Sequence, residues 1–158
     1  MRKYLVVCLL ILACLLTGCT DPLGKSVTHS DMTLTLPGDF VDLSGEDYAQ
    51  DADFMYGRKT LVLMGLSEKK SDLTAMSLKE YTANVLSGNQ ITAAPEVCGD
   101  GFLFTYETPV ANTPYTYTVA TFESESRFWI FQFYCPSANL EENQPEIRII
   151  LESIRKSQ

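Results

Sequence analysis

Three closely spaced runs between Phe102 and Tyr134 constrain this chain most. Phe102 to Glu107 reads FLFTYE, Tyr115 to Phe122 reads YTYTVATF, and Phe128 to Tyr134 reads FWIFQFY. Phe102, Phe104 and Tyr106 share one parity, as do Tyr115, Tyr117 and Val119. A period of two belongs to strands. The third run is apolar on both parities, which predicts a strand covered on both faces and central in its sheet. Asn112-Thr113-Pro114 and Glu123-Ser124-Glu125-Ser126 separate the runs with turn-forming residues, so the three predict a meander.

The flanking segments supply further elements. Met32, Leu34 and Leu36 alternate with Thr33 and Thr35 as a half-buried strand, ended by Pro37-Gly38. Asp53 to Tyr56 predicts a short strand turning at Gly57-Arg58. Lys59 to Leu66 (KTLVLMGL) predicts one covered on both faces. Ser77-Leu78-Lys79-Glu80 has capping-box spacing, and Leu78, Tyr81, Val85 and Leu86 follow at helical intervals up to Gly88. Ile91 to Cys98 is a weak strand before a Gly99-Asp100-Gly101 turn. Asn143 predicts the cap of a last helix, with Pro145 in its first turn and Ile147, Ile150, Leu151 and Ile154 as its buried stripe. This order predicts one α+β domain built on a mainly antiparallel sheet.

The Leu34 to Phe40 start (LTLP-x-x-F), the helix after the first strands, the three-strand meander and the closing helix with Glu152-Ser153-Ile154 carry a resemblance. Together they resemble the PsbP/Mog-like fold, an α/β/α sandwich, over residues 31–158. Bacterial envelope lipoproteins of the DcrB and LpqN kinds are similar. The resemblance implies a binding or accessory protein, not an enzyme, and carries no site residue with it.

The first residues differ from the rest. Arg2 and Lys3 precede an uninterrupted apolar run from Tyr4 to Leu16. That run is shorter than the roughly 20 residues of a membrane-spanning helix and matches a secretory signal. Leu16-Thr17-Gly18-Cys19 then resembles a bacterial lipobox, which implies cleavage before Cys19 and a diacylglyceryl group on its sulfur. Multiple acyl chains anchor firmly where a single one does not. The expected organisation is a signal over 1–18, a lipidated cysteine and tether over 19–30, and a domain over 31–158. Location at the extracytoplasmic face of a cell membrane follows. Thr20 after Cys19 permits the outer membrane in a Gram-negative cell. Loss of Arg2 and Lys3 takes the formal charge from −8 to −10. Such a charge repels anionic headgroups and nucleic acid, so lipid and not protein surface supplies the attachment.

A search for chemistry ends quickly. The single histidine, His29, falls in the tether and reads as an exposed linker residue, too loosely held to serve as a triad base. No H-E-x-x-H, G-x-S-x-G or Walker A motif occurs. Cys98 precedes the first meander strand and Cys135 closes the third, which places them roughly 20 Å apart. Both are therefore expected as free thiols, since a disulfide needs Cα atoms within about 7 Å. Asp31, Asp39, Asp42, Glu46, Asp47, Asp51 and Asp53 form an acidic stretch without Lys or Arg. It reads as a solvated loop, with Asp51 and Asp53 as weak calcium candidates. Tyr115 and Tyr117 flank a hairpin loop and are the candidate partner surface. The expectation is a lipid-anchored accessory lipoprotein without catalysis or cofactor, bound to the membrane and to an envelope protein or small ligand. The alternatives are a small-ligand or calcium-binding module, or a cell-envelope hydrolase.

Overall fold

The structure is a computed structural model that describes residues 24–156. The signal, Cys19 and the start of the tether lie outside the described residues. The strands are β1 (Lys25–His29), β2 (Met32–Leu36), β3 (Val41–Asp42), β4 (Phe54–Arg58), β5 (Leu61–Lys69), β6 (Glu96–Cys98), β7 (Gly101–Val110), β8 (Thr113–Glu123), β9 (Arg127–Pro136) and β10 (Arg155–Lys156). The helices are α1 (Leu78–Gly88) and α2 (Leu140–Ser153). Seven strands form one antiparallel sheet in the order β3-β4-β5-β9-β8-β7-β6, and β1-β2-β10 form a second. The α+β, mainly antiparallel class read from the sequence is observed.

β9 is the middle strand of the large sheet, as its double-sided apolar pattern requires. Its odd-numbered residues Trp129, Phe131, Phe133 and Cys135 are fully buried. They pack against α2 and the small sheet, in one core with Leu34, Phe54, Leu63, Ile147 and Ile150. The even-numbered Ile130, Gln132 and Tyr134 are only half-buried. β5 has the same asymmetry: Leu61 and Leu63 are buried, while Val62 and Met64 are partly exposed. Both strands were expected to be covered on both faces. The second face is only partly roofed, because α1 is short and reaches Phe128, Phe104 and Val119 without extending over the rest.

Two-residue turns set the register. β7 and β8 close at Val110↔Thr113, with Ala111 and Asn112 at φ 47° and 69°. Two successive positive φ values define a type I′ turn, whose twist suits a hairpin. The turn thus precedes the expected Asn112-Thr113-Pro114, and Thr113 and Pro114 already belong to β8. β4 likewise runs through Gly57 and Arg58 and turns at Lys59-Thr60. Opposite Gly65 on β5 lies Phe54, whose ring occupies the space of a Cβ at 2.2 Å. The glycine is what lets this ring lie flat on the sheet.

The capping box of α1 is complete: Ser77 accepts from the Glu80 amide and the Glu80 carboxylate accepts from the Ser77 amide. α2 starts earlier than expected, at Leu140, so Pro145 lies inside the helix. The Glu141 carbonyl loses its donor there. Asn143 is not the cap. It is fully buried, donates to the Thr60 and Asn139 carbonyls and accepts from Arg58. Arg58 also pairs with Glu146 and Asp39, tying α2 to the β4–β5 turn.

The tether expectation is corrected from Lys25 onward. Residues 25–29 form β1, paired along its full length with β2 from Lys25↔Leu36 to His29↔Met32. The pattern missed this strand because only Val27 of the five is buried.

Candidate functional site

Hydrogen-bonded partners stand about 5 Å apart across a sheet, so register alone brings Tyr106, Tyr117 and Tyr134 into one row. The Tyr106 and Tyr117 rings stack at 4.9 Å and 9°, and those of Tyr117 and Tyr134 at 5.6 Å and 25°. All three are half-buried. Burial raises the pKa of Tyr106 and Tyr117, so both hydroxyls stay protonated and can donate at physiological pH. The candidate residue Tyr117 is the centre of this row. Tyr115 lies two residues nearer the turn, on the same face and also half-buried. Beyond it, Pro109 to Pro114 are exposed, which makes the hairpin tip a free projection. The sequence placed Tyr115 and Tyr117 together but could not show Tyr134, which joins from β9 through register.

His29 is not a linker residue. Its ring stacks on Phe54 at 4.1 Å and its Nε2 lies 3.1 Å from the Tyr56 hydroxyl. Burial lowers its pKa, against the opposing pull of Asp42 and Asp53. The ring is held, but its nitrogen is engaged with a phenol rather than with a nucleophile.

The acidic stretch is not a uniform solvated loop. The Asp31 carboxylate accepts from the Trp129 indole at 3.0 Å and the Ser126 hydroxyl at 2.7 Å. Burial opposes its ionisation, yet hydrogen bonds from Ser124, Ser126 and Trp129 hold its pKa at about 2. Asp39 pairs with Arg58, and Asp42 accepts from the Ser44 amide. Asp51 and Asp53 remain exposed and line a cleft of about 470 Å³ with Glu68 and Tyr81. Among the described residues, no three carboxylate, histidine or cysteine groups gather closely enough to hold a metal ion.

Cys98 and Cys135 are both free thiols. Cys135 pairs with Thr116, near the hairpin end of β8. Cys98 pairs with Gly101, next to Phe102 and its partner Thr121 at the other end. Cys98 also lies where two hollows meet under α2, of about 630 and 400 Å³, which share Cys98, Leu151 and Glu152. Burial and the Glu152 carboxylate raise its pKa, so the thiol is a poor nucleophile.

No family model matches the chain, and a search of the curated proteins finds no match. Solved structures do match in fold. A crystal structure from Bacteroides thetaiotaomicron superposes with TM-score 0.61 at 14% identity, over 86% of this chain and 49% of that one. The chain thus spans about half the length of that protein. Cyanobacterial PsbP from Synechocystis matches with TM-score 0.55 at 9% identity, over 88% of this chain and 95% of its own. The Saccharomyces cerevisiae Ran-binding protein Mog1p matches with TM-score 0.55 at 13% identity, over 84% and 94%. With one helix on the half-open face, and a second helix and a small sheet on the closed one, the domain has the fold of PsbP and Mog1.

Proposed function

We propose that this chain is a lipid-anchored, extracytoplasmic accessory module that presents the half-open face of its large sheet to another component of the cell envelope. The observation that carries this reading is the stacked row of Tyr106, Tyr117 and Tyr134 beside Tyr115. Aromatic rings with polar tips are the side chains that protein interfaces favour. A seven-stranded sheet holds them rigidly, so binding costs little ordering. The Ran-binding property of Mog1p, on a similar fold, supports a binding role over a catalytic one. The basic start, apolar run and lipobox ending at Cys19 support the anchor.

In vivo crosslinking on the full chain tests both parts. Tyr117→Ala and Tyr115→Ala should lose the crosslinked partner while keeping the wild-type circular dichroism spectrum. Cys19→Ser should move the protein out of the membrane fraction. Unchanged crosslinking in both tyrosine variants would sink the surface assignment, and a Cys19→Ser protein that still sediments with membranes would sink the anchor.

A further inference from the structure

Strand β7 outruns its outer neighbour. β8 pairs with it from Phe102 to Val110, whereas β6 covers only Gly101, Phe102 and Leu103. From Phe104 to Val110, no strand among the described residues lies on the outer side of β7. The chain before β6 does not fill this gap. Pro95 has no N–H to give, and Ile91 and Ala93 pack on the open face against Leu86, Phe104 and Val119. The two-residue turn of the β7–β8 hairpin closes on a hydrogen-bonded pair, Val110 and Thr113. Bonded and non-bonded pairs alternate from there, so Thr108, Tyr106 and Phe104 bond to β8. Thr105 and Glu107 therefore aim both N–H and C=O outward, in line with the groups of Leu103 that face β6. Both residues are exposed, and no backbone bond from a turn or loop among the described residues reaches them.

Side chains around this stretch define what would fit. Thr105 lines the hollow of about 400 Å³ between the edge and α2, whose walls carry Leu103, Leu140, Ile147 and Leu151. Glu96 and Glu107 bracket the gap on the same face as Thr105. Both are exposed, and neither enters an ion pair among the described residues. Only another extended backbone matches unpaired N–H and C=O groups at strand spacing. We propose that the outer edge of β7 at Thr105 and Glu107 receives an extended segment of a partner protein as an added antiparallel strand. The segment carries a basic residue opposite Glu107 and, two residues later, an aliphatic one opposite Thr105. Directly opposed residues share a face, so the aliphatic side chain enters the hollow beside α2 and the cation meets Glu107. The residue between them lies beside Tyr106. Pairing ends there, because Glu96 already holds the place opposite Leu103. The site is the edge of the sheet and does not rest on the tyrosine row.

Residue-by-residue amide exchange with solvent, read by NMR on the full chain in detergent, tests the edge. The probe is the capped peptide acetyl-Ser-Thr-Lys-Val-Leu-Thr-Ser-amide. Strand addition predicts an alternating signature: the Thr105 and Glu107 amides exchange fast in the free protein and slow saturably with peptide, while those of Phe104 and Tyr106 are protected throughout. A ligand on the open face would not produce this alternation. N-methylation of the peptide's leucine removes a ladder donor and should abolish the protection. Replacing that leucine with serine should weaken binding about tenfold, and replacing the lysine with glutamate about threefold. Glu107→Lys should restore the glutamate peptide. Thr105→Pro places a proline where the N–H faces solvent, which an edge strand tolerates, and should weaken binding at least fivefold. Three results would overturn the proposal: no slowing at Thr105 and Glu107 with millimolar peptide, equal slowing by the N-methylated peptide, or protection without peptide that grows with protein concentration, which would assign the edge to a second copy of this chain.

Discussion

The two faces of the large sheet are built from the same strands and end up with opposite properties. On one face, α2 and the β1-β2-β10 sheet bury Trp129, Phe131, Phe133 and Phe54 completely. On the other, the short α1 leaves Tyr106, Tyr117, Tyr134, Val62 and Met64 half-exposed. Alternation along a strand sends neighbours to opposite faces, so β9 contributes alternately to core and to surface. Stability is therefore concentrated on the closed face. The open face can carry the polar tips of the tyrosine row because α1 covers only part of it.

This contrast can be broken by substitution, and the largest effect should come from the closed face. Phe131→Ala removes a fully buried ring touching Phe54, Phe122 and Trp129. It should cost about 3–5 kcal/mol in urea unfolding, and a loss below about 1 kcal/mol would show that the closed face is not the stabilising one. Gly65→Ala drives a methyl into the Phe54 ring and should cost about 1–3 kcal/mol. Phe54→Leu should recover part of that loss in the double variant.

Asp31 sharpens the same contrast through pH. Its pKa is held down in the fold, at about 2 against about 3.9 in an unfolded chain. The unfolded state therefore takes up its proton first as pH falls. The Asp31 contribution is complete above about pH 5 and is lost as the pH drops through 4 toward 2. Partial exposure limits it to about 1–2 kcal/mol. The stability difference between the wild type and Asp31→Asn should shrink over that range, and a difference constant from pH 6 to 2 would remove the charge from the account. On the open face the effects should be smaller. Ser77→Ala removes one half of the α1 capping box and should cost about 1 kcal/mol. Tyr115→Ala, at a half-exposed position, should stay within about 0.5 kcal/mol while abolishing partner capture.

Much of the fold was legible because it is written in local patterns. The alternation of FLFTYE and YTYTVATF announced β7 and β8, and Ser77 with Glu80 announced α1. Double-sided apolarity put β9 in the middle of the sheet. Where the reading failed, the local signal was weak or pointed elsewhere. β1 buries only Val27, so its five residues look like a polar tether until β2 pairs with them. Asn143 looks like a cap because asparagine before a proline is one elsewhere, yet here Arg58 and Thr60 claim it. The site was less legible than the fold. Tyr115 and Tyr117 could be singled out by their spacing beside a turn. Tyr134 carries no local signal of its place in the row, because register with Tyr117 brings it in.

The sequence by itself determined both helices, the longer strands of the large sheet and the α+β class, since periods of 2 and 3.6 residues and a capping box are short-range properties. It also carried the charge and the signal-like start. Only the tertiary structure decided that His29 stacks on Phe54, that Asp31 receives the Trp129 indole 98 residues away, and that Tyr81 ends in an acidic cleft. Each of these joins distant residues whose own neighbours give no hint of the partner. Such contacts become favourable only once strand pairing has already brought the two segments together.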